Sequence, residues 1–175
     1  ATRLSTHFSL AKAALEAGRH VLVEKPITST PDEALQLIEI AKRHNRILMV
    51  DHTFVYSEPV RKTRELVQSG EIGDVFYFDS VRVNLGLFQH DTNVIYDLAV
   101  HDLSIMDFVL GKTPTVVSAT GASHFPDQTE NVAFMSFMFE DSSLISHIHV
   151  NWLAPVKVRR TMIGGSRKMI VYDDL

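Results

Sequence analysis

Asp97 and His101 stand four residues apart in Asp97-Leu98-Ala99-Val100-His101, a spacing that puts both side chains on one face of a helix. A carboxylate that holds one imidazole nitrogen leaves the other to exchange a proton near neutral pH, which is what general acid–base chemistry needs. The same spacing also makes an ordinary helix-surface ion pair. Glu24-Lys25-Pro26 closes the apolar run Val21-Leu22-Val23. In open α/β sheets the carboxyl ends of the strands face the ligand crevice, so a charged pair ahead of a rigid Pro suits a site there. A solvated strand end would look alike. His147 and His149 alternate along one strand, with Asn151 beyond them. Two imidazoles on one face could begin a metal site, but no third ligand stands close in sequence, which favours a polar sheet face.

The scaffold for these groups has an ordinary globular composition, with 45% hydrophobic and 22% charged residues. Its 175 residues allow one medium domain or two small ones. Cysteine is absent, which removes disulfides, thiolate nucleophiles and zinc–cysteine sites together. The net charge of −4 argues against a nucleic-acid surface, which draws on an excess of Lys and Arg. No apolar run approaches the ~20 residues of a membrane span, and Ala1-Thr2-Arg3-Leu4 opens no secretory leader pattern. A soluble, cytoplasmic protein is expected.

Local signals place the elements. Ser5 is the expected cap of a first helix that carries Phe8, Ala11, Ala14 and Leu15 inward and stops at Gly18. His20 to Glu24 reads as a short strand without alternation, as in a sheet covered on both faces. Thr30-Pro31-Asp32-Glu33 is a strong helix start, with a cap, Pro in the first turn and Glu in the capping-box position. Ile47-Leu48-Met49-Val50 is a second strand, which completes a βαβ unit with a right-handed crossover. Beyond residue ~55 the pattern changes. A connecting helix is expected over 57–70, a strand over 75–83 and a helix over 93–110. Strands are expected over 115–122, 131–139, 144–152, 156–163 and 167–173, with hairpin turns at Glu140-Asp141-Ser142-Ser143 and Gly164-Gly165.

Ser5-Thr6-His7, leading into Ala13-Ala14-Leu15-Glu16-Ala17-Gly18-Arg19-His20-Val21-Leu22-Val23-Glu24-Lys25-Pro26, resembles the glucose–fructose oxidoreductase / inositol dehydrogenase / MocA family. Asp97 to Asp102 is similar to that family's D-x-x-x-H helix, and the 72 residues from Lys25 to Asp97 (97 − 25) fit its spacing. The stretch from Asn151-Trp152 to Tyr172-Asp173 resembles the subgroup acting on nucleotide-linked amino sugars. The fold implied is α/β: the C-terminal part of a Rossmann parallel sheet, then an α+β domain with a large, mostly antiparallel sheet. Residues 1–53 would be a partial NAD(P)-binding domain and 54–175 a substrate-binding and oligomerisation domain. The eight glycines nowhere form G-x-G-x-x-G, so the resemblance implies an N-terminally truncated fragment, inactive by itself.

The activity implied is hydride transfer between NAD or NADP and a sugar or nucleotide-sugar hydroxyl or ketone. His101 would be the general base, Asp97 would orient it, and Lys25 would hydrogen-bond the reacting oxygen and the nicotinamide ribose. Glu24 and Pro26 would shape the ribose pocket, Thr2 and His7 would border the cofactor, and Trp152 would cover the nicotinamide or serve as plain core. Arg159 and Arg160 would take a substrate phosphate or carboxylate, or else form a charged edge strand that deters aggregation. No resident metal is expected. The alternatives are a non-catalytic sugar-binding or oligomerisation module of the same fold and a metal-dependent hydrolase using Asp97, His101 and His90 or Asp91. Strand 131–139 is apolar on both faces, so two copies are expected to pack sheet on sheet, with Phe137 or its same-face neighbours central.

Overall fold

Thr30, Pro31 and Glu33 start their helix as their chemistry demands. In the computed structural model, which describes residues 2–85, 92–125, 129–140 and 143–175, the Thr30 hydroxyl accepts from Glu33 N–H at 3.3 Å and the Glu33 carboxylate accepts from Ser29 N–H at 3.2 Å. The chain forms two units, Ala1–His52 and Thr53–Leu175.

The first unit holds α1 (Leu4–Glu16), β1 (Val21–Val23), α2 (Pro31–Arg43) and β2 (Leu48–Val50). The strands pair in parallel, Val21 with Leu48 and Val23 with Val50. Ala11 and Leu15 of α1 pack on Leu37, Ile40 and Ala41 of α2, with Phe8, Val21 and Leu48 against them. Ser5 does not cap α1. The cap is Arg3, without a side-chain bond, and the Thr6 hydroxyl instead donates to the Arg3 carbonyl at 2.7 Å. Gly18 ends the helix at φ 74°, a left-handed setting that favours glycine.

The second unit runs through a 3₁₀ turn (Thr53–Tyr56), α3 (Glu58–Gln68), β3 (Val75–Val83), a π turn (Ile95–Ala99) and α4 (Val100–Leu110). Then come β4 (Val116–Ala122), β5 (Val132–Met138), β6 (Ile145–Asn151), β7 (Val158–Gly165) and β8 (Met169–Asp173). These five strands and β3 make one sheet in the order β4-β5-β6-β3-β7-β8. Only β3 and β6 pair in parallel; the other neighbours are antiparallel. The helix expected over 93–110 is therefore a π turn continued by an α-helix. Phe78, Ile148, Val150, Trp152 and Ile163 of the sheet side join Ile105, Met106 and Val109 of α4 in one core.

Three further expectations change. Gly164 and Gly165 lie inside β7, and the turn is Ser166 to Lys168, closed by Gly165 N–H donating to the Lys168 carbonyl at 2.9 Å. They serve close approach: a Cβ on Gly164 would strike the Tyr77 ring, and one on Gly165 the Ile72 carbonyl. Asp141 and Ser142 of the other turn lie outside the described residues. β7, which carries Arg159 and Arg160, is an interior strand and β8 is the edge, so the edge-strand explanation of those arginines fails. Phe137 is 4% exposed and faces the unit's own core together with Ala133 and Met135, so it cannot be central to a contact between copies. The open face of β5 carries Phe134 and Met138 instead.

Candidate functional site

In the first unit the site residues gather where the parallel strands end. His7 is buried; its Nδ1 lies 2.9 Å from the Pro26 carbonyl and its Nε2 3.3 Å from the Thr2 carbonyl. A neutral imidazole has one N–H, so it donates to one of these oxygens at a time. The ring thereby ties α1 and the chain before it to the loop after β1. Lys25 is half-buried, Glu24 is exposed, and the Lys25–Pro26 peptide is cis. A hollow beside them is lined by Thr2, His7, Leu10, Val21, Glu24 and Asp51. Asp51 was not anticipated. Its signal is the one that marked Glu24, an acid directly after a short parallel strand. His52 follows it, and burial lowers its pKa below the usual imidazole value against the opposing pull of the Asp51 carboxylate.

In the second unit Asp97 sits in the π turn and His101 in the first turn of α4. π segments inside helices recur at functional sites. Trp152, 1% exposed at the end of β6, donates its indole N–H to Asp97 Oδ2 at 3.1 Å. Trp152 is thus both core and a fixed donor to the carboxylate. The His101 ring packs edge-to-face on Phe54, with centroids 5.0 Å apart and planes at 74°. Next to His101, Asp102 is buried with Arg82 of β3.

Period-2 inward positions Phe78, Ser80 and Arg82 contain the signal for that pair: an arginine on the core face needs a buried acid. Phe54 carries no signal in sequence, because its neighbours are set by tertiary packing alone.

Arg159 and Arg160 pair with Asp174 at 3.4 Å and Asp173 at 2.7 Å across from β7. On the open sheet face Phe134 stacks on His149 with centroids 4.3 Å apart, and His147 Nδ1 lies 3.3 Å from Asp79 Oδ1. Burial and the neighbouring His147 lower the His149 pKa, and Asp79 opposes them. Among the described residues no three His, Asp or Glu side chains gather to hold a metal, and His90 and Asp91 lie outside those residues. No helix of the described residues is long and apolar enough to cross a membrane.

Residues 1–52 match the NAD-binding Rossmann model of the Gfo/Idh/MocA oxidoreductase family, and residues 60–171 match that family's C-terminal domain. A UDP-N-acetylglucosamine 3-dehydrogenase of Acidithiobacillus ferrooxidans is 32% identical over 132 residues, covering 74% of this chain and 40% of that protein. Among solved structures, GenD2 of gentamicin A biosynthesis in complex with NAD matches with a TM-score of 0.92 at 24% identity, over 99% of this chain and 53% of that one. An inositol dehydrogenase homologue of Azotobacter vinelandii, complexed with NADH and myo-inositol, matches with a TM-score of 0.90 at 23% identity, over 99% and 49%. The chain thus spans about half, or less, of the length of these relatives.

Proposed function

Because this chain belongs to the Gfo/Idh/MocA oxidoreductase family, we propose that it carries the base-bearing part of an NAD(P)-dependent dehydrogenase acting on a sugar or nucleotide-sugar hydroxyl, or on the ketone in reverse. The observation that carries the reading is Asp97, held by the buried indole of Trp152 one turn before His101. A carboxylate fixed in this way stabilises an imidazolium on the same helix face.

The residues at the strand ends fit the riboside half of the cofactor. Glu24 and Asp51 offer carboxylates to ribose hydroxyls, Thr2 and His7 wall the same hollow, and the Pro26 carbonyl holds the His7 ring. No G-x-G-x-x-G stands in residues 1–175 to hold the pyrophosphate. Bound NAD(P) supplies the hydride acceptor or donor. In the oxidative direction His101 takes the hydroxyl proton. Asp97 stabilises the resulting imidazolium, and Lys25 donates to the oxygen as alkoxide character develops. Arg159 and Arg160 are paired with Asp174 and Asp173, so a substrate phosphate would compete with those carboxylates for them.

The test is turnover of the whole protein with NAD and NADP against inositols, hexoses and nucleotide sugars. His101→Ala and Lys25→Ala should each lose ~10²–10⁴-fold in rate, and Asp97→Asn less. Near-normal turnover in both alanine variants would end the assignment. A non-catalytic sugar-binding module of the same fold is the second reading. Sugar binding without turnover in the whole protein would select it.

The reading includes a cytoplasmic location and a homo-oligomer. Phe134, Met138 and Ile145 are 45%, 51% and 55% exposed on one sheet face, and contiguous apolar area beyond a few hundred Å² is seldom left open on a monomer. A second copy is the proposed occupant, since Asp79, Asp173, His147 and Arg160 give the face both signs of charge for a two-fold contact. Light scattering that finds a clean monomer of the whole protein would sink this part.

A further inference from the structure

Arg82 and Asp102 form an ion pair that water does not reach, with side chains 3% and 2% exposed. Arg82 Nε donates to Oδ2 at 2.7 Å and Nη2 to Oδ1 at 3.3 Å. Ser80 Oγ donates to Oδ1 at 2.8 Å and lies 3.1 Å from Thr161 Oγ1. Such a pair adds little net stability, because desolvating two charges offsets their attraction. Two apolar residues would hold β3 to α4 as well. What the pair adds is geometry. Asp102 directly follows His101, so three donors on its carboxylate set the rotation of α4 about its own axis, and with it the direction His101 takes.

The same guanidinium lies over the Phe54 ring, 4.6 Å from its centroid. Phe54 in turn meets the His101 imidazole edge-to-face at 5.0 Å. Phe54 is therefore held by a fixed cation and presents an oriented ring to the imidazole. Aromatic pairs have preferred angles, which an aliphatic side chain at the same place would not impose on the imidazole. Proton transfer asks for heavy atoms within about 2.6–3.2 Å, and a misplacement of ~1 Å can cost ~10²-fold in rate.

We propose that Phe54, clamped by the Arg82–Asp102 pair, is the positioning residue for His101 and fixes the ring angle at which one imidazole nitrogen meets the substrate hydroxyl. This rests on His101 being the base. Phe54 touches no reacting atom; it acts through the histidine.

Two measurements test it. In the histidine-labelled 175-residue chain, Phe54→Leu should shift and broaden the His101 ring resonances, while Phe54→Tyr, which keeps the ring, should leave them near their original positions. In the whole protein, Phe54→Leu should lower kcat roughly 10–100-fold with little change in KM for either substrate, and Phe54→Tyr should recover most of it. Arg82→Lys keeps the charge and loses the fork and flat face, so it should share the loss in kcat. Full turnover in Phe54→Leu beside an inactive His101→Ala would overturn the positioning role and leave the base assignment standing. Full turnover in His101→Ala would overturn the base assignment itself. A loss in Phe54→Leu that Phe54→Tyr fails to restore would assign Phe54 to packing alone.

Discussion

Replacing Arg82 by Met keeps the length of the stem, removes the guanidinium and strands a carboxylate. Of the described donors to Asp102, only the Ser80 hydroxyl would remain, in surroundings where the side chain is 2% exposed. Breaking a buried ion pair from one side costs about 3–5 kcal/mol. For a unit of this size 1 kcal/mol corresponds to roughly 3–5 °C in Tm, so the fall should be about 10–25 °C. Trp152 is the only tryptophan and lies in the core of the second unit, so its fluorescence follows that unit alone. The double variant Arg82→Met/Asp102→Leu removes both charges and leaves Ser80 and Thr161 hydrogen-bonded to each other. It should return to within about 1–2 kcal/mol of the parent, because apolar replacements of buried pairs are often neutral. The coupling between the two sites then exceeds about 2 kcal/mol, well outside what independent sites show. A double variant whose loss equals the sum of the single losses would refute the reasoning. The recovered stability should come without recovered turnover, since the clamp on Phe54 is still gone.

Other measurements bear on the rest of the molecule. Burial and His147 lower the His149 pKa, so the folded state prefers the neutral ring. The resulting stability is present above the ordinary imidazole value of about 6.5 and is lost as pH falls through the lowered value. His149→Gln should therefore flatten the acid limb of a Tm–pH curve, and an unchanged limb would show that the ring does not carry it. Tyr172 is pushed up to about 12 by burial and by its hydrogen bond to Asp174. Stability from the protonated phenol is complete below the unfolded value of about 10 and is lost as pH rises toward 12. Tyr172→Phe should remove that alkaline loss, as thermal melts across the window would reveal. NAD should bind residues 1–175 only weakly, for want of a phosphate loop. Micromolar affinity by calorimetry would place the pyrophosphate on residues not considered for it.

Local chemistry was the legible part of the chain. Thr30, Pro31 and Glu33 announce a helix start because each bond they make lies within four residues, and Gly18 announces a stop for the same reason. Asp97 and His101 were visible through spacing. Their supports were not, since Trp152 is 55 residues from Asp97 and Phe54 is 47 from His101 (101 − 54). Gly164 and Gly165 misled because glycine serves turns and close contacts alike, and only the Tyr77 ring and the Ile72 carbonyl decide between them. Phe137 misled for a related reason. A strand apolar on both faces does not say which face α4 will cover, so the inward set of Ala133, Met135 and Phe137 could not be told from Phe134 and Met138. Arg160 looked like an edge residue until the sheet order put β8 outside it.

The position of β3 has a consequence for how the second unit comes into being. β5–β6 and β7–β8 are antiparallel neighbours joined by short connections, and each can zip locally. β3 instead takes its partners from afar: Tyr77 pairs with Ile145, 68 residues on, and Val81 with Arg160, 79 on. Closing loops of that length costs entropy before any pairing compensates it, and distant pairing slows folding. Until β3 inserts, β6 and β7 each present an open edge to other chains. The strand that carries Arg82 is thus expected to complete the sheet from its middle, with the contact to Asp102 locking after that insertion. Arg82→Met should accordingly hasten unfolding and leave the folding rate almost unchanged, whereas a slowed folding limb would mean the pair forms before the barrier. On that order, the contacts proposed to aim His101 would form only after the sheet around them is complete.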